Sequence, residues 1–114
     1  MQVFAEKIYL MITGSVKFYQ DFFDVKYPFE KYDWILIPDS KYGAMEFPAA
    51  VTCKESIVPL RDHCNNDFAD IGRIVFHETA HMWFGNMVTM KWWSDLWLNE
   101  SFAEYIAFVC YENL

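Results

Sequence analysis

Basic residues are scarce in this sequence: nine Lys and Arg stand against sixteen Asp and Glu, a formal charge of −7 over 114 residues. Such an acidic chain repels phosphate backbones and anionic lipid headgroups, so nucleic acid is not an expected partner. Uninterrupted hydrophobic runs are also missing. The start, MQVFAEKIYLMITG, carries Glu6 and Lys7 inside its apolar stretch, which does not read as a targeting segment. No run approaches the roughly 20 apolar residues of a membrane-spanning helix, and no membrane contact is expected within the segment. The three cysteines, Cys53, Cys64 and Cys110, are odd in number and form no CxxC pair, which fits a reduced, cytoplasmic setting. Internal repeats and low-complexity stretches are absent.

What the chain has in excess is apolar and aromatic surface: 54% of its residues are hydrophobic and 20% aromatic, with five Trp, seven Tyr and eleven Phe. One domain at most fits this length, and that much aromatic surface is more than it can cover, so a piece of a larger core is expected. Ile8, Met11, Ile12, Val16, Tyr19, Phe22 and Phe23 recur at spacings of three and four and predict an amphipathic helix over about residues 5–23. DWILIPDS is a short apolar run closed by Pro38 and suits a buried strand, with a second strand over about residues 49–53. NNDFADIGRIVFHETAHMWFG offers Asn65, Asn66 and Asp67 as caps, places Phe68, Ile71, Ile74, Val75 and Met82 at helical spacing, and stops at Gly85. Ser94 or Asp95 can cap a last helix that runs through Glu100 and Glu104 to about Glu112.

In FHETAHMWFGN, His77 and His81 stand four residues apart with Glu78 directly after the first. On a helix, positions i and i+4 share one face, so both imidazoles can aim at one ion. Two unrelated histidines would look the same, and two imidazoles leave zinc short of ligands. A catalytic site needs a third protein donor and a fourth position free for water. Glu100 in WLNESFAEY, nineteen positions after His81, supplies that donor if the last helix folds back, and Glu78 then falls beside the open side of the ion. One zinc ion per chain is expected.

HETAH, eighteen residues and then Glu100, together with HMWFGNMVTMKWWSDLWLNESFAEY, resemble the zinc aminopeptidases of the aminopeptidase N type, among the gluzincins. GAMEF at residues 43–47 is similar to that family's GAMEN exopeptidase motif, and YPFEKYDWILIPDSKYGAME to the segment leading into it. The resemblance runs from about Val16 to the end. It implies an α+β fold, an incomplete thermolysin-like zinc metallopeptidase catalytic domain in which a helix and short strands with the GAMEF loop precede two zinc-bearing helices. Residues 1–114 would be a fragment of that domain, its flanking domains absent. The resemblance further implies His77, His81 and Glu100 as zinc ligands and Glu78 as general base. Glu46, Gly43, Ala44 and Met45 would bind substrate, with Glu46 holding the free amine of a peptide. The implied activity is removal of amino-terminal residues from peptides. Phe47 departs from the pattern, where the family usually has asparagine. The family also uses a tyrosine well downstream of the zinc glutamate to stabilise the oxyanion, and Tyr105 and Tyr111 stand too close to Glu100 to be that residue.

Other residues carry two readings. Glu104, one turn after Glu100, either orients a zinc-bound histidine or is a solvated carboxylate. Trp83, Trp92, Trp93 and Trp97 either line a cleft or pack between the two zinc helices, the second being expected. His63 reads as a surface histidine, and Cys53 and Cys110 as structural. Two other functions share parts of the pattern: a thermolysin-type endopeptidase, which would have no amine anchor, and a non-catalytic remnant that binds zinc or a partner without turnover.

Overall fold

The computed structural model describes residues 2–58 and 65–114, with side chains from residue 5 onward in the first stretch and from residue 68 in the second. His63, Cys64 and the capping side chains expected at Asn65, Asn66 and Asp67 therefore lie outside what is described. Three helices and one small sheet form a mixed α+β arrangement.

The apolar run DWILI becomes strand β1, Asp33–Ile37. Strands β2, Ala44–Phe47, and β3, Ala50–Lys54, follow it. The sheet order is β1-β3-β2, with β3 parallel to β1 and antiparallel to β2. Phe47 pairs with Ala50, so Pro48 and Ala49 alone form the hairpin turn, and Ala49 takes a left-handed φ of 62°, as the third position of a Pro-initiated type II turn requires. The GAMEF segment is thus an edge strand and not a loop. Four residues are too few for an alternating pattern to be legible, and the strand is specified by its main-chain pairing to β3.

Helix α1, Gln2–Phe23, buries Ser15 and Tyr19. Helix α2, Asn65–Ala80, packs against α1 and against α3, Leu96–Asn113. Along α3 the buried residues Ala103, Ile106, Ala107 and Cys110 follow the spacing of one helical face. They meet Ile71, Val75 and Met82 in a core that also holds Tyr19, Trp83, Val51 and Cys53. The polar tips of the buried aromatics are satisfied by main chain: the Tyr19 hydroxyl donates to Phe76 O at 2.9 Å and the Trp83 indole N–H to Val25 O at 3.0 Å. At the start of α3, Asp95 makes no side-chain cap bond. A 3₁₀ turn, Trp93–Asp95, closed by Asp95 N–H to Trp92 O at 2.9 Å, starts the helix instead.

Of the four tryptophans expected between the helices, only Trp83 is buried, while Trp92, Trp93 and Trp97 are 69%, 70% and 58% exposed. They sit in and before the first turn of α3, away from the small-residue stripe that faces α2. Among the described residues no helix is long and apolar enough to cross a membrane. Ile106→Ala is expected to lower the unfolding free energy in urea by about 2–5 kcal/mol. Trp93→Ala should stay within about 0.5 kcal/mol of the parent.

Candidate metal centre

The site lies where the end of α2 meets the first turns of α3 and the edge strand β2. His81 Nδ1 is 3.0 Å from Phe84 O. A carbonyl only accepts, so the ring proton sits on Nδ1 and Nε2 carries a lone pair. His77 Nδ1 faces Glu104 Oε2 at 3.0 Å, off the hydrogen-bonding direction of the ring, and this buried nitrogen has no hydrogen-bond partner among the described residues. A carboxylate there favours the same tautomer. Both Nε2 atoms consequently face each other, 3.0 Å apart. Two lone pairs at that separation repel unless a positive charge, a proton or a metal cation, sits between them.

Glu100 Oε2 completes the set at 3.6 Å from each Nε2. The centre of the resulting triangle is about 2 Å from every corner, the length of a zinc–nitrogen or zinc–oxygen bond. The residues present therefore fit a divalent ion with one nitrogen pair and one carboxylate oxygen. Burial and the neighbouring His81 hold the His77 imidazole below its ordinary value, which keeps it in the neutral form that binds metal.

The local chain explains this aim. Helix α2 ends at Ala80, short of the stop expected at Gly85. Met82 and Trp83 bond back only three residues, to Thr79 O and Ala80 O, after which Asn86, Met87 and Val88 bond back five, to His81 O, Met82 O and Trp83 O. The tightening followed by widening turns the Phe84 carbonyl toward the His81 ring. Gly85 sits within this turn at φ 127°, where a side chain would be strained. A Cβ there would lie 2.1 Å from Asn99 Oδ1, so this glycine admits close approach of α3.

Glu78 is buried at the same end of α2, and its Oε2 has no hydrogen-bond partner among the described residues. Burial first, then the charges of Glu46 and Glu100, push its carboxyl up to about 8. Donor atoms of Glu46, Glu78 and His81 lie within 4.8 Å of one another. Of the substrate residues expected on the GAMEF segment, Ala44, Met45 and Glu46 are half-buried on β2 and Gly43 is exposed at its start. Glu46 is held twice: its main-chain oxygen accepts from Asn86 Nδ2 at 2.8 Å, and its Oε1 lies 3.5 Å from Asn99 Nδ2, which also donates to Glu100 Oε1 at 3.1 Å. Asn86 and Asn99 were not singled out by sequence reasoning. Their signal was adjacency, Asn86 closing FGN and Asn99 preceding Glu100. Arg73, also passed over, contacts Glu104 and reads in sequence as one more surface cation. Cys53 and Cys110 are buried free thiols that burial pushes up to about 11, the inert behaviour of structural cysteines.

Residues 11–114 match the peptidase family M1 domain. Among similar proteins, an aminopeptidase N of Haemonchus contortus is 46% identical over 96 residues, 82% of this chain and 10% of that protein. An aminopeptidase N of Streptomyces lividans is 42% identical over 106 residues, 93% of this chain and 12% of that protein. Endoplasmic reticulum aminopeptidase 1 of Mus musculus is 46% identical over 96 residues, 82% of this chain and 10% of its own length. The chain thus spans about a tenth of the length of these relatives.

Gly85→Ala is expected to destabilise the fold by about 1–3 kcal/mol through its backbone conformation alone. Because the added methyl also displaces Asn99, the amide signals of Asn99 and Glu100 should move in a two-dimensional NMR spectrum, while those of the distant Tyr9 stay in place.

Proposed function

Because the chain belongs to peptidase family M1, we propose that it carries the metal-binding and amine-binding core of a zinc aminopeptidase, a hydrolase that removes the amino-terminal residue of a peptide. The observation that carries this reading is the convergence of His77 Nε2, His81 Nε2 and Glu100 Oε2, with the Glu46 carboxylate beside them. The 114 residues would work as part of a thermolysin-like catalytic domain, which is consistent with the large exposure of Trp92, Trp93 and Trp97. One relative is named for the endoplasmic reticulum, so the likeness does not favour the cytoplasm over another compartment.

In this reading His77, His81 and Glu100 hold one zinc ion. When bound, the ion supplies Lewis acidity, lowering the pKa of a water toward about 7 and polarising a carbonyl oxygen. Glu78, its carboxyl pushed up by burial and by the charges of Glu46 and Glu100, would be returned to its ionised form by the positive charge of a bound ion. It would then accept the proton of the attacking water and return it to the nitrogen of the departing amine. Glu46 pairs with the ammonium of the first residue of the peptide. Strand β2 lies at the sheet edge, where Gly43, Ala44 and Met45 can flank an extended peptide. A carboxylate fixed beside the metal donors favours exopeptidase over endopeptidase action, because it selects a free amine and orients the first carbonyl.

Metal analysis of the full chain should show one zinc per molecule, lost in His77→Ala, His81→Ala and Glu100→Ala. In a complete enzyme that contains these residues, Glu78→Gln should keep the zinc and lose about 10²- to 10⁴-fold in turnover. Zinc retained in all three alanine variants would refute the ligand set. For Glu46→Ala, the expected result is a reduced preference for peptides with a free over an acetylated amino terminus, read as the ratio of their kcat/KM values. An unchanged ratio would remove Glu46 as the anchor.

A further inference from the structure

Glu100 and Glu104 are one helical turn apart on α3, and their carboxylates straddle the His77 imidazole. Glu100 Oε2 lies 3.6 Å from Nε2 and Glu104 Oε2 lies 3.0 Å from Nδ1. The second oxygen of Glu104 is occupied from the other side, since Arg73 Nε donates to Oε1 at 2.9 Å and the Arg73 Nη2 group contacts the same oxygen. Arg73 is one turn before His77 on α2, so a single face of that helix presents both the guanidinium and the imidazole to one carboxylate. The guanidinium carbon also sits 5.4 Å from the centre of the Phe108 ring, which stands one turn beyond Glu104. Arg73 thus links Glu104 and Phe108, and Glu104 faces the His77 nitrogen on the far side of the ring from His81.

The two histidines are set by different means. His81 is oriented by a main-chain carbonyl, Phe84 O, which belongs to the turn after α2 and cannot be varied by substitution. His77 depends on a side chain, and that side chain depends on a second one. We propose that Glu104, locked in place by Arg73, is the positioning residue for His77: it fixes the proton on Nδ1 and aims Nε2 at the ion. This rests on the metal site proposed above and adds the device that tunes it. In the structure the carboxylate stands 3.0 Å behind the ring, off its hydrogen-bonding direction. A small turn of the ring on metal binding would let it accept from Nδ1, which raises the basicity of the donor nitrogen and removes the ring-flip freedom that binding would otherwise have to overcome. Arg73 acts on the metal only through Glu104, because its donors end on the oxygen that does not face the ring.

The test is zinc affinity of the metal-stripped full chain, measured by competition with a chromophoric chelator, alongside ¹⁵N NMR of the His77 ring. Glu104→Ala should weaken zinc binding about 10- to 100-fold and leave the His77 ring in a mixture of tautomers. Glu104→Gln, which keeps an accepting oxygen without the charge, should fall between Glu104→Ala and the parent. Arg73→Ala should weaken binding severalfold, and the double variant Arg73→Ala/Glu104→Ala should bind like Glu104→Ala alone. Asp70→Ala, which removes a nearby carboxylate on the same wall, should bind like the parent. A parent chain that binds no zinc brings down the metal-site reading itself and this inference with it. A parent that binds zinc while Glu104→Ala binds as tightly, with the His77 tautomer unchanged, overturns the positioning role alone. So does a loss in Asp70→Ala equal to that in Glu104→Ala, which would make the effect one of general negative charge.

Discussion

Two imidazole lone pairs held 3.0 Å apart are the constraint around which the rest of this structure is arranged. Left to themselves they would turn away from each other. They stay face to face because the His81 ring is held from behind by Phe84 O, the Glu104 carboxylate stands 3.0 Å behind the His77 ring, and both rings sit at the crowded junction of α2 and α3. The core below the site supplies the rigidity. The small residues Ala103 and Ala107 let α3 approach α2 closely, and the left-handed Gly85 lets Asn99 lie against the turn. The three acidic groups Glu46, Glu78 and Glu100 then crowd the same side, an arrangement that is costly for anions alone and favourable around a cation.

Much of the scaffold was legible in the sequence because it rests on long periodic patterns. The three- and four-residue spacing of apolar positions located the first two helices, a candidate cap at Ser94 or Asp95 located the third, and the run closed by Pro38 located β1. The residues singled out by HETAH and its distance to Glu100 are brought together, since that spacing encodes a local helical face plus one return of the chain. Short-range and context-dependent features were less legible. Strand β2 exists through its pairing with β3, which no pattern within four residues can announce. The end of α2 at Ala80 depends on a change of main-chain hydrogen-bond spacing, whereas the glycine that looked like the stop lies five residues further on.

The tryptophans mark a different boundary. Packing between the two zinc helices is the expectation for them, yet Trp92, Trp93 and Trp97 lie mostly open, in keeping with more aromatic surface than the chain can cover. Hydrophobicity reports the tendency to be covered and not what does the covering: of these four, Trp83 alone, with its indole N–H satisfied by Val25 O, finds its cover among the described residues. Arg73 illustrates the converse. A cation on a helix face carries no sequence signal for function, and its importance emerges only when the carboxylate it grips is seen to face a histidine.

The two asparagine contacts to Glu46 have a further consequence. Asn86 belongs to the turn that aims His81, and Asn99 is joined to Glu100 both covalently and by a hydrogen bond. Glu46 is therefore tied, by its main chain to Asn86 and by its carboxylate to Asn99, to the same pieces of chain that carry His81 and Glu100, so under the proposed function its distance from the ion would be set by the fold and would vary little. Under the proposed function that distance acts as a ruler: an ammonium placed at one end leaves only the first carbonyl of a peptide within reach of the other, and a chain would be shortened one residue at a time.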